Sequence, residues 1–425
     1  MTGGGRHYAV PHQLLSASPP TSPLASRDHL GPCSIRPPGL PHHRQPPRHP
    51  LLGNGVAWAS GTDGTVLRTL DGGAQWQTCP IPPGAENLDF RGVPAFDQNA
   101  AIVMSSGKGD LSRLYKTTDS CRTWKLLFTN PDKEGFWDAI QFRAVGHSPA
   151  EGRRYWSGMV IGDPVDDNFV EYFSNDSGEH WTRIESQIAA SARDQEGLFA
   201  ASNSSLLYLS GGGSIFVTGG RSGSRSRVLS ENVKEDPHVS WKFIGGNIPL
   251  QSDESAGAFS IASSHMDAQT LGTRAPEPDR IFFFDMRSTC VVVGGDYKER
   301  NRSSGTAAFT NDGGKRMDSC QKFHPHGYRS SVAYDLATRT WITVGPNGTD
   351  ISRDDGRNWT PLKSAANHPH DTDNDWNALS LPFVVGPHDR NRQAPRRRPR
   401  TRPALVTQLP RAAASQVSSE AHWAW

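Results

Sequence analysis

Three groups of residues have the types needed for chemistry. Arg91, Asp138, Arg329 and Asn377 each directly follow an aromatic residue, in the pairs Phe90-Arg91, Trp137-Asp138, Tyr328-Arg329 and Trp376-Asn377. Asp163, Asp296, Tyr297, Asn347 and Asp350 each come just after a short apolar run that ends in glycine. Arginines set among aspartates can hold a carbohydrate, a peptide terminus or an acidic partner, because a guanidinium is a planar fork of donors and a carboxylate only accepts. Two carboxylates about 5–10 Å apart would instead suit hydrolysis of a glycosidic bond. Asp138, Asp163 and Asp296 are the candidates for that. The plainer alternative is that these charges pair with one another and hold the fold in register.

The third group is histidine and cysteine. His324-Pro325-His326 and His368-Pro369-His370-Asp371 place imidazoles and a carboxylate at spacings that suit zinc or a similar ion. Histidines interrupted by proline in loops are more often simply solvated, so no metal is expected. The five cysteines are Cys33, Cys79, Cys121, Cys290 and Cys320, with no C-x-x-C among them. Cys79 closely follows the turn that ends at Trp76 and Cys121 sits inside the next one in the glycine place, either as a disulfide or as two small buried thiols. No phosphate loop, nucleophile elbow or HExxH motif occurs, and no cofactor is expected.

Composition narrows what must position these residues. The chain has 42 Gly and 32 Pro but only 35% hydrophobic residues, a mix that suits short strands joined by tight turns and argues against a helical bundle. No run of apolar residues is long enough for a membrane-spanning helix. Residues 1–50 hold eleven Pro and six His without hydrophobic periodicity, and residues 388–425 hold eight Arg. Neither stretch buries enough apolar area to offset the entropy of ordering, so both are expected to be disordered tails. The two tails are basic, while residues 51–387 carry 32 basic against 40 acidic residues. That division does not support a nucleic-acid-binding protein.

The body is a repeat. Ser or Thr, any residue, Asp, then a glycine and a Trp recur as Thr69-Leu70-Asp71-Gly72-Gly73-Ala74-Gln75-Trp76, with further copies centred on Asp119 and Trp124, Asp176 and Trp181, and Asp354 and Trp359. Asp312 keeps the turn without its Trp, and 235–241 reads as a decayed copy. The Asp folds back onto its own turn, glycine supplies a positive φ, and the Trp packs between sheets. Ahead of each turn lies a strand ending in glycine, seven in all, among them Val56-Ala57-Trp58-Ala59-Ser60-Gly61 and Phe383-Val384-Val385-Gly386. An aromatic-polar pair opens the innermost strand of each unit, Phe199-Ala200 and Phe259-Ser260 included. Four-stranded units at this spacing are the blades of a β-propeller, here all-β with seven blades and six as the alternative. Strand parity then puts the aromatic-polar pairs and the residues after the glycine-ended strands around one channel mouth.

The repeated turn is identified as the Asp-box, or BNR repeat, of sialidases and several non-catalytic propellers. Gly294-Gly295-Asp296-Tyr297, Gly327-Tyr328-Arg329-Ser330 and Trp376-Asn377-Ala378-Leu379 add a closer likeness to bacterial relatives of the photosystem II stability/assembly factor. The resemblance covers about 51–387 and implies an extracytoplasmic scaffold that binds a protein or carbohydrate without a cofactor; a monomer is expected. A sialidase would carry Arg-Ile-Pro before the first box, whereas Arg91-Gly92-Val93-Pro94 comes after it and is one residue too long. A glycoside hydrolase of sialidase-like architecture is therefore the second reading. No export signal is legible as written, and both ends depart from the family pattern as out-of-frame or misassigned text would.

Overall fold

The recurrent turn folds the same way in each copy among the described residues. Thr69 donates its hydroxyl to Asp71 Oδ1 at 2.8 Å and accepts the N–H of Gly73, while Asp71 Oδ1 accepts the N–H of Gln75 at 2.9 Å. The equivalent bonds join Thr117, Asp119 and Thr123, then Ser174, Asp176 and His180, and finally Ser352, Asp354 and Asn358. Asp312 makes them with Thr310 and Arg316 despite its missing Trp. Ser120 and Cys121 both take positive φ, 68° and 61°, where the first copy has Gly72 and Gly73. Trp359 is buried and returns its indole N–H to Gly356 at 3.1 Å; Trp181 does the same to Gly178.

These bonds make a testable contribution to stability. Removing the carboxylate with Asp354→Ala leaves the Asn358 N–H without its acceptor and is expected to cost about 2 kcal/mol in urea denaturation. A loss indistinguishable from zero would show that the turn holds itself without the Asp. The N–H and hydroxyl of Thr123 hold the Asp119 carboxyl down to about 2. Its contribution is therefore present above the ordinary carboxylate range and is lost as pH falls toward that value.

The computed structural model describes residues 55–148, 153–185, 189–208, 213–232, 240–264, 289–312, 316–362, 373–381 and 383–387, together with the strand Ala404–Gln408. It is an all-β propeller of antiparallel blades. One four-stranded sheet runs Phe90–Gly92, Ala101–Ser105, Arg113–Thr117 and Lys125–Thr129 in sequence order, and the sheets beginning at Trp137 and Ser331 repeat this order. The core lies between sheets. Ile102, Met104 and Leu114 of one pack on Trp137, Ile140 and Val160 of the next. The pattern continues until Phe383 meets Ala57 and Ala59 of the first sheet.

Among the described residues five sheets carry four strands or more and two carry three, so seven complete blades are not present. The three-stranded sheets are those of Ala57–Ser60 and of Phe383–Pro387, at the two ends of the repeat. Within 388–425, expected to be structureless, Ala404–Gln408 pairs antiparallel with Phe383–Pro387. The physical reason is local: Leu405-Val406-Thr407 is a β-prone run among prolines and arginines, and the open edge beside it offers unpaired backbone groups. Residues 1–50 and the decayed repeat at 235–239 lie outside the described residues. No helix among the described residues is long and apolar enough to cross a membrane.

Candidate functional site

The predicted ring of polar residues divides into two parts with different fates. The first part is a sealed knot. Arg329 and Asp350 have side chains with 0% exposure and stand 3.1 Å apart. Arg329 also donates to the carbonyls of Gly327, Gly348 and His326. Asp350 accepts His326 Nδ1 at 2.7 Å, while the Asn347 side chain donates to the carbonyls of Arg300 and His326. Asp373, which the sequence reading overlooked, accepts from Thr349 and from the Trp376 indole. Arg329 and Asp350 are therefore sealed from solvent and hold strands together, contrary to their expected place at the mouth, whereas Asn347 is half-buried and bonded across the same loops. The cause is charge and hydrogen bonding, since Arg329 precedes the strand Ser331–Asp335 and its guanidinium reaches back to the carbonyls of the loop before it and to Asp350.

One of the predicted histidines belongs to the same knot. Both ring nitrogens of His326 are engaged, Nδ1 by Asp350 and Nε2 by the Asn347 carbonyl. His324 does not join it, and among the described residues no group of three or more His, Cys, Asp or Glu can hold a metal ion. His368, His370 and Asp371 lie outside the described residues.

The second part gathers around four residues, Gly197 to Ala200. The Leu198 N–H donates to Asp163 Oδ1 at 2.8 Å, and the Ala200 carbonyl accepts Arg91 at 3.1 Å. Arg91 is also paired with Asp89 and keeps 41% of its side chain exposed. Asp138 sits at a β-bulge opposite Gly162, is 1% exposed, and has no hydrogen-bond partner for Oδ2. Burial pushes its carboxyl well above the ordinary range; the Asp163 charge adds to this, while the Asp163 N–H and Arg91 oppose it. Burial also pushes Asp163 up to about 6 against the pull of the Leu198 N–H.

Phe199 extends the same segment into an aromatic row. It stacks on Phe259 at 3.9 Å, and Phe259 meets Tyr328 edge-on at 4.8 Å. Tyr297, 43% exposed, closes the row against Phe259 and Tyr328. The stack needs two backbones in contact beneath it: a Cβ on Gly219 would meet Phe199 at 2.6 Å and the Gly257 Cα at 2.7 Å. Asp296, next to Tyr297, is not part of a carboxylate pair. Burial alone would raise it, but Ser255 and the N–H groups of Lys298 and Glu299 outweigh that and hold it low. Asn377 is exposed, and its N–H pairs with the Val385 carbonyl.

Beyond Ala200 the chain continues through the centre of the ring. Ser202 donates to the Ser330 carbonyl, Asn203 bonds both backbone groups of Ile140, and Ser204 donates to Ser260. With Arg91 on Ala200, this segment touches strands of three sheets and the residue that leads into Ser331–Asp335 of a fourth, as a segment near the axis of a propeller would. Sequence reading placed Phe199-Ala200 at the start of an inner strand, but that strand is Leu206–Tyr208. The available signal was Ala200-Ala201-Ser202-Asn203-Ser204-Ser205, a run of small polar residues without strand alternation.

The sulfurs of Cys79 and Cys121 are joined, with Cα atoms 5.6 Å apart. Cys290 and Cys320 are buried thiols, and Cys33 lies outside the described residues.

No protein-family model matches the chain, and no curated protein does. Among solved structures it is similar to YCF48 bound to D1 peptide, at 14% identity over 84% of this chain and 89% of that one, with a TM-score of 0.48. YCF48 from Cyanidioschyzon merolae is 16% identical over 68% and 74%, with a TM-score of 0.41. The GH74 xyloglucanase from Xanthomonas campestris is 14% identical over 77% of this chain and 47% of its own, with a TM-score of 0.25. At these identities and scores the likenesses bear on no residue of the site, and the architecture rests on the strand pairing above.

Proposed function

We propose that this protein is a non-catalytic, Asp-box β-propeller that binds a segment of a partner protein at the mouth carrying Arg91 and Tyr297. The observation supporting this is a single one. The segment Gly197 to Ala200 links an exposed guanidinium to an exposed tyrosine through a stacked aromatic row. A guanidinium takes a carboxylate, and a tyrosine on rigid aromatics offers a flat amphipathic surface at little entropic cost. An extended peptide with an acidic or carboxylate end suits both. A role in assembling a protein complex outside the cytoplasm follows from the family resemblance, and the Cys79–Cys121 bridge favours an oxidising compartment.

Seven blades fit this reading, with the two three-stranded sheets as first and last; Trp76 of one packs edge-on against Phe383 of the other at 5.7 Å. Counting those two as halves of one blade gives six.

The test is fluorescence anisotropy with a labelled hexapeptide pool bearing free C-terminal carboxylates, against the same pool amidated. The free-acid pool is expected to bind about tenfold more tightly, and Arg91→Ala to erase the difference. Tyr297→Ala is expected to weaken both pools. Equal and negligible binding of the two pools would overturn the reading.

The Asp138–Asp163 pair favours glycoside hydrolysis as the second reading, because one carboxylate is kept protonated beside another that ionises near neutrality. Against it, Asp138 is sealed from solvent. Turnover of a panel of aryl glycosides, including a sialoside, that disappears in Asp138→Asn or Asp163→Asn would replace the binding reading.

A further inference from the structure

We propose that Asp163 is a proton-controlled latch on the segment Gly197 to Ala200, which orders the Arg91–Tyr297 mouth when ionised and loosens it when protonated. This rests on the mouth being the binding surface, but the latch is measurable without any ligand.

One hydrogen bond to Asp163 holds Leu198 between the short ladder of Glu196–Gly197 on Gly219–Gly220 and the contacts of Phe199 and Ala200. Asp163 Oδ1 receives the Leu198 N–H at 2.8 Å, and a Cβ on Gly197 would come within 2.8 Å of the same oxygen, so the carboxylate and this backbone are in direct contact. On either side of Leu198 the segment is committed elsewhere: Glu196 to Arg225 and Thr218, Phe199 to Phe259, and Ala200 to Arg91. A bond from an N–H to a carboxylate is markedly stronger than one to a neutral acid. Protonating Asp163 weakens the one anchor between those commitments, and Phe199 and the Ala200 carbonyl move with it.

The charged groups around Asp163 set the direction. From the neighbouring inner strand Trp137–Ser148 comes Asp138, sealed and with Oδ2 unpartnered. From Phe90–Gly92 comes Arg91, shared with Asp89 and Ala200. From the segment itself comes Glu196, neutralised by Arg225, with Arg193 and Asp194 before it. On its own hairpin Asp166 and Asp167 are exposed at the turn. No cation pairs directly with Asp163 in this set, so burial dominates and the group titrates near 6. The Leu198 N–H opposes protonation, so while Asp163 stays buried its protonation favours release of the segment: the mouth is ordered above that value and loosens below it. Global stability moves the other way. A carboxyl raised in the fold contributes stability below the ordinary carboxylate range that is lost as pH rises through about 6.

Hydrogen–deuterium exchange of the full chain, read by mass spectrometry on the peptide spanning 196–203 and corrected for intrinsic exchange, tests this. In the native protein protection of that peptide is expected to fall about fivefold between about pH 7 and about pH 5, while Ala101–Ser105 stays constant. Asp163→Asn keeps an acceptor that cannot ionise and is expected to give one low protection at both values. Gly197→Ala, which pushes the carboxylate away, is expected to lower protection at neutral pH. Unchanged protection in the native protein, or equal pH dependence in Asp163→Asn, overturns the latch. Failure of peptide binding with a pH-dependent segment would overturn the proposed binding role and leave the latch standing.

Discussion

Arg329→Ala is expected to destabilise the protein by about 3–5 kcal/mol, because it leaves a fully buried Asp350 carboxylate without its main counter-charge. The guanidinium it removes also donates to the carbonyls of Gly327, Gly348 and His326, of which the last keeps a second donor in the Asn347 side chain. Urea denaturation followed by tryptophan fluorescence measures the loss. The double variant Arg329→Met, Asp350→Leu removes both charges and is expected to recover part of it, since an apolar pair does not leave a lone ion in the interior. Arg329→Ala with native stability would mean that the knot is hydrated and the pair contributes nothing. His326 adds a pH signature. Its bond to Asp350 raises its affinity for a proton in the fold, so its contribution is complete below the ordinary histidine range. That contribution is lost as pH rises through the raised folded value.

Reduction of the Cys79–Cys121 bridge, or the pair Cys79→Ser and Cys121→Ser, is expected to lower stability by about 4 kcal/mol on the chain-entropy account for a 42-residue separation. The bridge ties the three-stranded sheet of Ala57–Ser60 to the complete sheet that follows it. A sheet with fewer strands has fewer ladder bonds of its own, so the loss should appear first there. Exchange protection of Val66–Thr69 is expected to drop before that of Ala101–Ser105. Equal protection of both strands after reduction would show that Trp58, Tyr115 and their neighbours hold the two sheets together unaided.

Much of the architecture was legible in local text. The turn motif needs only residues within about one turn of each other: a hydroxyl two places before Asp, an N–H four places after it, and positions that accept positive φ. Such short-range bonds are encoded where they are made, which is why Asp71, Asp119, Asp176, Asp312 and Asp354 all fold as the pattern implies. The strands ending in glycine and the sheet order repeated in three four-stranded sheets belong to the same class. The link between Cys79 and Cys121 does not: the sequence leaves it open between a bridge and two thiols, and the packing of the first two sheets joins the sulfurs.

The site belongs to the opposite class. Nothing in the neighbourhood of Arg329 in sequence distinguishes it from Arg91, since both follow an aromatic residue and precede small ones. One ends with no exposure and the other with 41%, because Asp350 lies beside the first and an axial backbone carbonyl beside the second. Likewise the small polar run from Ala200 to Ser205 has no periodicity to mark it. Its partners Ile140, Ser260 and Ser330 stand on three different sheets. Closing a ring brings every blade to one axis, and which residues meet there depends on side chains separated by up to 128 positions. Periodicity within a blade carries no record of that meeting, so burial, pairing and the identity of the exposed mouth arise only once the sheets have packed.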